Sequence, residues 1–88
     1  MTNHSNHETI CLQGDLSLAN LSLKNYPTLS TYETIKTIEL QKLDNIDSAG
    51  LAYLVQIKSH FPSIVLTGVS QKTQILSHLY GVNFIFTE

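Results

Sequence analysis

Ser48 stands within Leu43-Asp44-Asn45-Ile46-Asp47-Ser48-Ala49-Gly50-Leu51-Ala52, and histidines follow at positions 60 and 78. Serine, aspartate and histidine are the residue types of a hydrolytic triad, in which an imidazole takes the hydroxyl proton and a carboxylate orients the imidazole. The spacing speaks against that chemistry. On a helix over 49–61, His60 lies about 18 Å from Ser48 at ~1.5 Å per residue, too far to act as its base. His78 belongs to another element, and there is no Gly-x-Ser-x-Gly elbow. The chain is therefore expected not to be an enzyme. A second chemistry is capture of a negative group: a helix start with only Ala49 and Gly50 in its first turn presents amide hydrogens to whatever comes close. Equally, the turn is simply a capped helix, with Ser48 as N-cap and Asp47 as a turn former. His4 and His7 could chelate a metal, but no cysteine or carboxylate cluster accompanies them, and no metal or cofactor is expected. Cys11 has no basic neighbour to lower its pKa and reads as a buried strand residue.

These residues depend on the elements that carry them. Ile10 and Leu12 against Thr9, Cys11 and Gln13 suit a strand over 8–16, ended by Gly14-Asp15. Segment 17–32 allows a short helix with a loop, because Pro27 must stop or kink any helix. A second strand over 34–43 follows from the alternation around Ile38 and Leu40, and Asp44 to Asp47 reads as a polar loop. From 49 to 61, Leu51, Leu54, Val55, Ile57 and Phe61 recur at helical spacing, and Pro62 closes the helix. Tyr53, beside the turn, is either half-buried core or an aromatic anchor for a partner. Ile64-Val65-Leu66 suits a central strand within 63–69. Ser70 reads as the N-cap of a helix bearing Ile75, Leu76 and Leu79, which Gly81 stops. Phe84-Ile85-Phe86 reads as a last strand. Helical crossovers between strands favour parallel pairing, with the first pair open to either direction.

The chain has 88 residues, enough for one domain (8–88) behind a polar, flexible tail (1–7). Five lysines and arginines against seven acids leave a net charge of −2 with no basic stripe, which argues against nucleic acid. Only 14% of residues are charged, against the usual ~25%, which leaves more surface open to burial by another chain. A single cysteine permits no internal disulfide and fits a reducing compartment. Neither a signal peptide nor an apolar run long enough to span a bilayer is evident, so a soluble, cytoplasmic protein is expected.

Ile46-Asp47-Ser48-Ala49-Gly50-Leu51 between a strand and a helix, the Gly68-Val69 step into the last helix, and the order of elements resemble the STAS domains, the sulphate-transporter and anti-sigma-factor-antagonist family. The resemblance covers most of the chain, from Glu8 onward. It implies an α/β, SpoIIAA-like single domain: a four-stranded mixed sheet with about three helices packed on it. It also implies assembly or regulation, with Asp47, Ser48, Ala49, Gly50, Leu51 and Tyr53 forming the partner surface. The run Leu66-Thr67-Gly68-Val69-Ser70-Gln71-Lys72, with Leu76-Ser77-His78-Leu79-Tyr80 after it, is most similar to the small STAS subunits of phospholipid-transporting ABC complexes. That likeness implies a transporter ATPase as partner, at the inner face of the inner membrane, without insertion into the membrane. The other branch of the family implies an anti-sigma-factor antagonist controlled by phosphorylation of Ser48.

Overall fold

The computed structural model describes residues 8–86 and the backbone of residues 2–6. Three strands form a parallel sheet in the order β2 (Thr9–Leu16), β3 (Thr37–Ile46), β4 (Val65–Thr67). The backbone of β1 (Thr2–Asn6) lies antiparallel along the free edge of β2. A polar segment pairs there because an open edge offers main-chain donors and acceptors that require no apolar side chains. The tail expected over 1–7 is thus a strand at Thr2–Asn6, and Met1 and His7 lie outside the described residues. Three α-helices lie among the described residues: α1 (Leu18–Ser22), α2 (Ser48–His60) and α3 (Gln71–Leu79). No helix among the described residues is long and apolar enough to cross a membrane.

The core follows the periodicities. Ile10, Leu12 and Leu16 from β2, Ile38 and Leu40 from β3 and Leu66 from β4 are buried together with Leu54 and Ile57 of α2. Cys11 is buried as well, so β2 is covered on both faces at this point. Tyr26 and Tyr32 join this core from the segment between α1 and β3, where a 3-10 helix (Leu29–Thr34) follows Pro27.

Four expectations are corrected. β2 does not end at Gly14-Asp15, nor β3 at Leu43. The pair continues through Gly14↔Leu43, Asp15↔Asn45 and Leu16↔Ile46, with register shifts on the way. Gly14 has φ 86°, a conformation open to glycine at the irregularity, which lets the ladder resume beyond it. The start of β3 moves correspondingly, because Leu29–Thr34 is taken up by the 3-10 helix. Finally, Phe84-Ile85-Phe86 is no strand. It lies in a one-turn 3-10 helix (Asn83–Phe86) that buries Ile85 and leaves Phe84 54% exposed.

Candidate partner surface at the head of helix α2

β3 delivers the chain to Asp47 at the C-terminal end of the parallel sheet, and α2 starts at once. The N-cap is Asp47, not Ser48. Its Oδ1 accepts from Gly50 N at 2.9 Å, and its backbone is extended (φ −109°, ψ −175°) as a cap requires. Ser48 becomes the first helical residue. Both types are competent caps; the decisive difference is that a carboxylate has two acceptors and Ser48 one. Oδ2 of Asp47 accepts from Leu18 N at 3.0 Å, so one side chain holds the heads of α1 and α2. Asp47 N donates to Leu16 O at 3.3 Å, which fastens the turn to the end of β2. Burial alone would raise the Asp47 pKa. Amide donors from Leu18, Gly50, Ala49 and Asp47 itself outweigh it and hold the carboxyl below its ordinary value of 3.8.

Gly50 is small for packing, not for access to a ligand. A Cβ there would stand 2.2 Å from Leu16 O and 2.7 Å from Ile46 Cγ1, so α2 crosses β2 at a distance only glycine permits. Leu51 is 2% exposed and belongs to the interior. Tyr53 is half-buried and faces inward. Its hydroxyl donates to Pro27 O at 2.5 Å and receives the Tyr32 hydroxyl at 2.6 Å. The two rings meet edge to face with centroids 6.1 Å apart, and Tyr26 packs on Tyr53 at the same distance. Burial pushes the Tyr53 phenol up to about 12, and pushes Tyr32 up further.

Of the six residues singled out from the sequence, Gly50, Leu51 and Tyr53 serve the packing beneath the turn, and Asp47 ties it together. Ala49 is half-buried. Ser48 is exposed, and its hydroxyl makes no hydrogen bond among the described residues. His60 sits at the far end of α2, its Nδ1 against Gln56 O at 2.9 Å, and His78 lies in α3. Neither makes a hydrogen bond to Ser48. Among the described residues no group of three His, Cys, Asp or Glu is placed to hold a metal.

Two features around the turn escaped the sequence. α1 exposes Leu18 (62%), and Leu23 just beyond it is 72% exposed. A groove of about 240 Å³ also lies between the end of β3 and α3, its apolar lining including Leu43, Ile46, Val69, Ile75, Leu76 and Leu79. Helical spacing marked Ile75, Leu76 and Leu79 as one stripe, but not that Ile75 and Leu79 stay exposed. Leu18, with Leu21 and Leu23, allows a short helix on sequence grounds, but nothing there marks it as exposed. No protein-family model matches the chain, and no curated protein matches it.

Proposed function

We propose that this chain is a non-catalytic STAS-type binding domain whose partner contacts the head of α2 around Ser48. One observation carries the reading: in the run Asp47-Ser48-Ala49-Gly50-Leu51, Ser48 alone is exposed, with a hydroxyl that bonds none of the described residues, while its neighbours build the turn that presents it. A surface residue held at a fixed place by a structured turn fits recognition. Exposed apolar side chains, Leu18 on α1 bonded to Asp47 and Ile75 and Leu79 on the groove that reaches Ile46, supply the apolar area that association needs.

Within the family, the chain is read as MlaB-like, the small cytoplasmic STAS subunit of the Mla phospholipid-transport ABC complex. Its partner is then an MlaF-like ATPase, and its role is to support assembly and activity of a transporter that maintains outer-membrane lipid asymmetry. The protein is peripheral to the inner membrane through that complex, without a cofactor or contact with nucleic acid. Ser48 then acts as an uncharged contact near the interface centre. The likeness of the Leu66-to-Tyr80 run supports this branch. Purified ATPase and STAS chain mixed in a size-exclusion experiment test it directly: co-elution is expected, and separate elution at micromolar concentrations contradicts it.

The exposed Ser48 hydroxyl, which bonds none of the described residues, favours one second reading, an anti-sigma-factor antagonist. There a serine kinase modifies Ser48, adding about −1.5 to −2 charges that expel the partner by repulsion and desolvation. Intact-mass measurement on protein from its native host separates the two, since this reading requires a phosphorylated fraction in some growth state.

A further inference from the structure

We propose that Asp47 is a coupling residue: it ties α1 to the Ser48 turn, so that whatever engages or charges that turn also sets whether α1 is folded. The proposal rests on the reading of the turn as a partner surface only for the identity of what engages it.

α1 has little of its own to hold it. It spans five residues, far below the ~12–15 an isolated helix needs, and none of them is fully buried. Leu21 is half-buried against the core, while Leu18 is 62% exposed. Beyond the Leu23 C-cap, Lys24 sits at φ 59°, a left-handed conformation that disfavours a side chain. Its own cap is long: Ser17 Oγ accepts from Asn20 N at 3.4 Å. The firmer ties come from outside the helix. Asn20 Nδ2 donates to Asp15 O at 2.7 Å, and Leu18 N donates to Asp47 Oδ2 at 3.0 Å.

The Asp47 bond is the one that reaches the partner surface. Its other oxygen caps α2 at 2.9 Å, so the carboxylate cannot swing toward one helix without lengthening its bond to the other. A negative charge at position 48 repels that carboxylate and competes for the same α2 amides. Leu18 N then loses its acceptor. A helix held by so few contacts sits at the low-stability end of the molecule and opens first. Opening removes Leu18 from its place beside Asp47, so the apolar area flanking Ser48 changes together with its charge.

Amide hydrogen exchange on the isolated chain tests this without any partner. The reporters are Leu21 N, bonded to Ser17 O, and Leu23 N, bonded to Ala19 O, with Leu54 and Ile57 in α2 as internal references. Asp47→Asn separates the two roles: asparagine is as good an N-cap through its oxygen, but its amide nitrogen cannot accept from Leu18 N. Exchange at Leu21 and Leu23 is expected to rise about tenfold, the scale of a lost cap, while Leu54 and Ile57 remain the more protected amides. Ser48→Asp is expected to speed the same α1 amides, and Ser48→Ala to leave them as they are. Unchanged α1 exchange in Asp47→Asn overturns the proposal, as does identical α1 exchange in the two Ser48 variants. Either failure leaves the partner-surface reading standing, and a missing partner leaves the α1 result standing.

Discussion

Gly50→Ala measures how closely α2 is pressed onto the end of β2. In an ordinary helix interior the change stabilises by roughly 0.5–1 kcal/mol, because alanine loses less backbone freedom on folding. Here the added methyl meets Leu16 O at 2.2 Å, Ile46 Cγ1 at 2.7 Å and Leu16 Cγ at 3.0 Å. The first of these is backbone, which no rotamer change can relieve. Overpacking of this kind costs about 1–3 kcal/mol, and a contact this close to a carbonyl belongs at the upper end. The net expectation is a destabilisation of about 2 kcal/mol. At ~4–8 °C per kcal/mol for a domain of this size, Tm falls by about 10 °C. Thermal and urea unfolding followed by circular dichroism measure both quantities. A Gly50→Ala variant as stable as the parent, or more so, refutes the claim that glycine is needed here for close packing.

The tyrosine network yields a second expectation. Tyr53→Phe removes the group that donates to Pro27 O and accepts from fully buried Tyr32, leaving polar atoms unpaired at a cost of about 1–3 kcal/mol. In a double-mutant cycle with Tyr32→Phe, additive losses in urea unfolding would contradict a shared network. Alkaline stability follows from the same residues. Tyr26, by burial and then by the charges of Asp15 and Asp44, and Tyr53, chiefly by burial, are raised from 10.0 to about 12. Folded pKa values above the unfolded ones mean that this stability is intact below pH 10 and drains away as pH rises toward 12. In a Tyr80→Phe chain, which lacks the exposed fourth tyrosine, phenolate absorbance should appear together with loss of near-ultraviolet dichroism; phenolate forming while that chain stays folded speaks against the burial argument. Asp47 has the opposite sign. Its lowered pKa contributes stability that is present above pH 3.8 and lost as pH falls through the folded value. Asp47→Asn should therefore unfold with a shallower pH dependence below pH 4 than the parent, and identical acid profiles would show that the carboxylate carries no such linkage.

Much of the scaffold is written in simple periodicities. Alternation places Ile10 and Leu12 in β2 and Ile38 and Leu40 in β3, and all four are buried. Helical spacing marks Leu51, Leu54 and Ile57, and the helix they predict spans Ser48–His60 with these three inside. The misreadings share a cause: each depends on a contact distant in the chain. Polar Asp44 and Asn45 look like a loop, yet they extend β3 because β2 runs beside them to Leu16. Asp47 and Ser48 are equally good caps on local grounds, and Leu18, 29 residues away, makes the carboxylate the better one. Phe84-Ile85-Phe86 has strand composition but lies in a 3-10 turn that buries Ile85. At the candidate site, the turn itself was legible, whereas the inward-facing roles of Gly50 and Tyr53 and the exposure of Leu18, Ile75 and Leu79 required the packed structure.

The central claim is that a protein partner recognises the head of α2 around an uncharged Ser48. Ser48→Ala and Ser48→Asp chains, each co-expressed with an MlaF-like ATPase and purified through a tag on the ATPase, test it most directly. The account predicts parental recovery for Ser48→Ala and at least a tenfold loss for Ser48→Asp, since a buried unpaired carboxylate costs several kcal/mol. Equal recovery of Ser48→Asp, with both variants folded, contradicts it.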